Sequence, residues 1–120
     1  MKKSLERRRQ VSITVKGRKT GRRVVLPVWF VVDGGSIWLL PVYGSRTQWY
    51  RNVQANATIT VQAGSVRRRV EASPVTDRRV VRKVIRLFRE KYTPEEIKRW
   101  YSGLDVAVEA PLERGESQNS

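Results

Sequence analysis

Between Gly17 and Arg23 the chain reads Gly-Arg-Lys-Thr-Gly-Arg-Arg, which packs four cations, a hydroxyl and two glycines into seven residues. Forked guanidinium groups, an ammonium and amides left open by glycine are the donors that hold phosphate, because charge-assisted hydrogen bonds to its oxygens are short and strong. Arg18, Lys19 and Thr20 are therefore candidate phosphate ligands; a solvated basic turn is the alternative reading of the same residues. The segment is not a Walker loop, since no helix-opening lysine-threonine pair follows a strand at that spacing. A second segment, Leu39 to Asn52, joins a strand end, a glycine loop with hydroxyl and arginine side chains, and a helix start. It offers amides and the positive end of a helix to an anion. Tyr43, Ser45 and Arg46 are its candidate ligand contacts, and Tyr43 is also a candidate proton source, whereas Trp49 reads as core.

Composition narrows the chemistry. The 120 residues contain no cysteine and no histidine, which removes disulfides, thiol nucleophiles, imidazole acid-base steps and nearly every zinc or haem ligand set. No metal site is expected, and any redox role must use a borrowed cofactor. The net charge of +14, from 25 basic and 11 acidic residues, predicts attraction to polyanions or phosphorylated ligands. A nucleic-acid-binding barrel that stacks bases on Trp38 and Tyr43 is accordingly a competing reading. Against it, most aromatic residues lie inside apolar runs and the cations are spread over several segments. No apolar stretch follows the basic N-terminus and none reaches membrane-spanning length, so a cytoplasmic protein is expected.

The elements that must position these residues follow from periodicity. Residues 1–10 read as a basic arm, frayed or forming a short helix, residues 11–112 as one domain, and residues 113–120 as a disordered polar tail. Val11 to Lys16 alternates apolar and polar residues as a half-buried strand does. Val24 to Val32 and Ser36 to Val42 are β-branched and aromatic runs joined by the hairpin signal Asp33-Gly34-Gly35. Pro27 and Pro41 within those runs mark an edge, a bulge or a strand end. Ser45 to Ala55 reads as a short helix stopped by Asn56. Ile59 to Gln62 and Val66 to Ala72 form a second hairpin, in which the row Arg67, Arg68 and Arg69 must send at least one arginine inward or to a rim. Val80, Val81, Val84, Ile85 and Phe88 recur at helical spacing. Thr93-Pro94-Glu95-Glu96 opens a further short helix running to Ser102, with Gly103 beyond its end, and Asp105 to Ala110 is the last strand. The class is mainly β (α+β), with a short helix after the third strand and a C-terminal helix pair.

Taken in order, Gly17-Arg18-Lys19-Thr20-Gly21, Pro27 with Trp29, Asp33-Gly34-Gly35, and Trp49-Tyr50-x-Asn52-x-x-x-Asn56 resemble the deazaflavin-dependent nitroreductase family, relatives of the flavin-binding split β-barrels of the pyridoxamine-phosphate oxidase type. The resemblance covers Val11 to Val75. It implies a six-stranded split β-barrel, usually a homodimer, that binds the deazaflavin coenzyme F-420 or FMN and passes hydride to a small acceptor such as a quinone or nitro compound. It further implies that Arg18, Lys19 and Thr20 hold cofactor phosphate or its acidic tail, that Pro27 and Trp29 sit near the ring system, and that Pro41, Val42 and Gln48 line the ring or phosphate site. Trp49 and Asn52 would brace the helix. A non-catalytic cofactor-binding protein would use the same residues.

Overall fold

The computed structural model describes residues 5–112. In chain order it contains β1 (Val11–Lys16), β2 (Arg23–Val28), β3 (Phe30–Asp33), β4 (Ser36–Leu39), α1 (Gln48–Ala55), β5 (Thr58–Ala63), β6 (Val66–Glu71), β7 (Ser73–Val75), α2 (Arg78–Tyr92), α3 (Pro94–Trp100) and β8 (Ala107–Pro111). The strands make two four-stranded antiparallel sheets, β2-β1-β5-β6 and β3-β4-β8-β7.

Six strands are expected from the sequence, and eight occur among the described residues. Val24 to Val32 reads as one run because its residues are β-branched or aromatic, but the ladder stops at Trp29. There β2 leaves the first sheet and β3 enters the second. Ala72 makes the same crossing between β6 and β7. Pro27 lies on β2, at the outer edge of its sheet, where a missing N–H breaks no ladder. Pro41 stops β4 short of its expected end: the chain turns there, with Gly44 N–H donating to the Pro41 carbonyl at 3.0 Å. The helix expected from Ser45 starts instead at Gln48, after a 3-10 turn over Gly44–Arg46. Asn56 ends it as expected. At α3 the Thr93 hydroxyl accepts from Glu96 N–H at 3.2 Å and Pro94 takes the first helical position, but the helix ends at Trp100, short of Gly103.

Alternation along the strands builds two cores. Ile13, Val15, Phe30, Ile37, Leu39 and Val61 fill the space between the sheets. Val31, Val84, Phe88, Tyr92, Ile97 and Ala107 form a second core where α2 and α3 lie on the outer side of the second sheet. The first sheet differs: its outward residues Ser12, Thr14, Lys16, Thr58, Thr60 and Gln62 are none of them buried. The basic arm, expected frayed or as a short helix, is helical at Leu5 and Glu6 and docked from Leu5 on, because Leu5 is an apolar anchor only 1% exposed in the first core. The expected tail over residues 113–120 lies outside the described residues. Among the described residues no helix is long and apolar enough to cross a membrane.

Candidate active site

A cavity of about 380 Å³ opens where β2 passes into β3. Leu26, Pro27, Val28 and Trp29 form one wall. Leu40 and Val42, from the exit of β4, and Trp49 of α1 form the second, and Trp100 with Tyr101 closes the side. Gln10 contributes from the N-terminal arm. The lining is largely apolar and aromatic, the character of a pocket for a flat organic ligand, and its volume is in the range of small-molecule sites.

The Trp29 wall is held by aromatic packing. Its indole stacks on Tyr92 with centroids 4.4 Å apart and planes 7° apart, and Tyr101 lies tilted against it at 6.0 Å. The Arg9 guanidinium sits over both rings, 5.3 Å from the Trp29 centroid and 5.1 Å from that of Tyr92, and pairs with Glu96 at 2.9 Å. The Tyr92 hydroxyl accepts from Phe30 N–H at 2.9 Å and lies within donating distance of two carbonyls, those of Phe30 (2.8 Å) and Arg9 (2.7 Å). Burial pushes the Tyr92 pKa up to about 12, against the lowering effects of the Phe30 backbone hydrogen bond and Arg9. The Tyr101 phenol, which faces the cavity, is also raised, first by burial and then by Tyr92.

The opposite wall is held by hydrogen bonds between two turn segments. Ser102 N–H donates to the Val42 carbonyl at 2.8 Å. Ser45 donates to Asp105 twice, from its amide at 2.9 Å and its hydroxyl at 2.7 Å. Gly44, at φ 61°, lies so close to the Gly103 carbonyl and the Asp105 carboxylate that a Cβ would overlap both.

Arg18 leaves the β1–β2 turn and reaches α1. Its guanidinium donates to the Gln48 carbonyl (3.4 Å), to Gln48 Oε1 (2.9 Å) and to Asn52 Oδ1 (2.8 Å), while its amide donates to the same Asn52 oxygen at 3.1 Å. Gln48 directly precedes the cavity-lining Trp49 in the sequence. Thr20 uses its hydroxyl within the turn, accepting from Arg22 N–H at 3.2 Å, and Lys19 is exposed.

Of the residues singled out from the sequence, the fold brings Pro27, Trp29 and Val42 together at the cavity, and joins Arg18 to Gln48 outside its lining. Pro41 is buried in the turn behind Val42. Ser45 is engaged by Asp105, and Arg46 is exposed. Tyr43 is 59% exposed and outside the cavity lining. Trp38, which base stacking would need free, is half-buried with its indole N–H on the Asp33 carbonyl at 3.3 Å. Asn52 braces the Arg18 turn, whereas Trp49 is both core and cavity wall. Gln10, Leu40, Trp100 and Tyr101 were not foreseen. Gln10 lies in an arm expected frayed or as a short helix, and Tyr101 in a helix expected to run to Ser102 that ends at Trp100, so only three-dimensional contact reveals them.

A family model described as F420H(2)-dependent quinone reductase matches residues 2–111. A solved structure described as an F420-H2 dependent reductase is 25% identical, with a TM-score of 0.68 over 86% of this chain and 94% of that one. Another, described as a domain-swapped dimer, is also 25% identical, with a TM-score of 0.69 over 86% of this chain and 80% of that one. A putative pyridoxamine 5'-phosphate oxidase from Listeria innocua shares the fold at 16% identity, with a TM-score of 0.66 over 90% of this chain and 86% of that one.

Proposed function

The chain belongs to the F420H(2)-dependent quinone reductase family, and from that premise we propose how its own residues divide the work of a deazaflavin-dependent reductase. The carrying observation is an aromatic-walled cavity, with an arginine anchored on α1, the helix that supplies its Trp49 wall. When bound, the reduced deazaflavin supplies the hydride. Trp29, fixed by its stack on Tyr92, and Trp49 hold a planar ring system, while Pro27, Leu40 and Val42 exclude water from it. Three of the five Arg18 N–H groups are committed to Gln48 and Asn52, and the remaining two would be open to a phosphate oxygen. The exposed Lys19, Thr20 and Arg46 would add contacts to the cofactor's acidic groups. Pro41 and Ser45 act by shaping the loop that carries Val42.

For the acceptor we assign the hydrogen-bonding position to Tyr101 in preference to Tyr43. Tyr101 lies in the cavity, and its raised pKa keeps the phenol protonated, a standing donor to a carbonyl or nitro oxygen. A quinone or nitro compound is the acceptor class this favours. We read the two sheets as one six-stranded split barrel whose second and fifth strands bend at Trp29 and Ala72, within a single cytoplasmic domain over residues 11–112. A homodimer is supported by two exposed apolar residues, Val25 at 66% on the edge strand β2 and Trp100 at 59% in the cavity lining.

The test is fluorescence titration of the purified protein with oxidised deazaflavin coenzyme and, separately, with FMN, followed by turnover with a quinone. Saturable binding of the deazaflavin, weakened in Arg18→Ala, with turnover lowered in Tyr101→Phe and unchanged in Tyr43→Phe, is the expected result. Binding of neither cofactor overturns the reading.

A further inference from the structure

A second concavity, of about 580 Å³, lies on the outer face of the first sheet. Strand register builds it. Two rows cross the sheet from β2 to β6: Val25, Thr14, Thr60 and Arg69, then Pro27, Ser12, Gln62 and Arg67. Lys16 and Arg23 face each other at the turn end. The groove therefore has threonine hydroxyls on its floor and cations on both flanks. No ion pair among the described residues engages Lys16, Arg23, Arg67 or Arg69. Glu71, which pairs with Thr58 in the next outward row, is held by the Thr58 hydroxyl at 2.8 Å.

From this arrangement we propose that the groove is a second anion site, which takes a short inorganic chain of phosphates. Guanidinium, ammonium and threonine hydroxyl groups are the side chains that hold phosphate oxygens, and opposed flanks suit a linear ligand whose charge is repeated along its length. No aromatic residue lines the groove, so nothing there can stack a base. The surface is concave, so it fits a chain and not a membrane plane. Arg18 is not among its lining residues: that guanidinium is held by Gln48 and Asn52 on α1, whereas Asn56, just past the last turn, lines the groove. Asn52 precedes Asn56 by one helical turn, roughly 6 Å along the axis. The inference does not depend on the redox reading of the cavity.

The probe is inorganic triphosphate, titrated calorimetrically into the full chain at low and high salt. One saturable site is expected, weakened at least about tenfold in Arg67→Ala/Arg69→Ala and about threefold in Thr60→Val, since charged donors contribute more than a neutral hydroxyl. Arg18→Ala and saturation with the deazaflavin coenzyme should leave the affinity unchanged, and adenosine triphosphate should bind no more tightly. Absence of a saturable site, competition with the coenzyme, equal affinity for citrate, or a strong preference for the nucleotide would each overturn the proposal. Unaltered circular dichroism in the Thr60→Val protein separates lost binding from lost fold.

Discussion

The two sheets have equal strand number and the same antiparallel pairing, yet their outer faces have opposite fates. In the second sheet successive residues are apolar on both sides: Phe30 turns into the barrel and Val31 toward α2, and Val106, Ala107 and Val108 are all buried. In the first sheet Val11, Ile13 and Val15 are buried while Ser12, Thr14 and Lys16 are not. A helix pair can cover only the apolar face, so stability collects on one side and free charge on the other. The aromatic cavity sits where the chain crosses between them at Trp29, and it takes a rigid wall from the covered side.

Breaking the covered face should have the largest effect. Phe88, 0% exposed, meets Tyr92 and Tyr101 with ring centroids 5.6 and 6.0 Å away. Phe88→Ala should cost about 3–5 kcal/mol in chemical denaturation, from lost burial plus a cavity that the aromatic cluster cannot close. A cost below about 1 kcal/mol would mean that the helix pair is not what holds the second sheet. Tyr92→Phe comes next. It keeps the ring stack but leaves Phe30 N–H without its side-chain acceptor, a loss of about 1–3 kcal/mol. Because the ring that backs Trp29 is retained, deazaflavin affinity should hold in the same variant, whereas Tyr92→Ala, which removes the stack, should lower it.

Alkaline titration sharpens the same contrast. Lys91 rests on the Phe30 ring, 3.6 Å from its centroid, and donates to the Phe30 carbonyl at 3.1 Å. Burial, helped by Arg9 and opposed by Glu6, lowers its pKa from 10.5 to about 8. Between those values the unfolded chain binds a proton that the folded chain has released, so stability rises with pH across the window. Tyr92 has the opposite sign: its folded pKa is raised from 10.0 to about 12, so the stability it contributes is lost as pH climbs through that range. The urea midpoint should therefore rise modestly from pH 8 toward 10, since Lys91 is only half-buried, and then fall. Lys91→Met should abolish the rise, and Tyr92→Phe should reduce the fall. A midpoint that only declines from pH 8 contradicts the placement of Lys91.

Much of this was legible in local pattern. The turn Gly17-Arg18-Lys19-Thr20-Gly21, the Asp33-Gly34-Gly35 hairpin, the apolar stripe of α2 and the Thr93 cap are signals carried by neighbouring residues. What stayed hidden depends on distant contact or on bends that leave composition unchanged. Trp29 and Ala72 continue strand-like runs while the chain changes sheets. Asp105 meets Ser45 across 60 positions, and Tyr92 meets Phe30 across 62. Tyr101, expected inside a helix to Ser102 but lying just past its end, entered the cavity for the same reason. The row Arg67, Arg68 and Arg69 was half-legible. Strand parity required a split, and the register assigns Arg68 to the row of Val61 and the other two to the open face.

The smallest effect belongs to that open face, and its sign is informative. Arg69 is exposed and shares the outward side of β6 with Arg67, on a sheet whose other flank carries Lys16 and Arg23 in a chain of net charge +14. Replacing it removes no packed contact and lowers like-charge repulsion, a change within about 0.5 kcal/mol. Arg69→Gln should thus leave the thermal midpoint equal or slightly higher at low salt, and the gain should vanish as salt screens the remaining charges. A loss of more than about 1 kcal/mol that persists at high salt would show that Arg69 packs as the covered sheet's residues do, and would erase the distinction between the two faces.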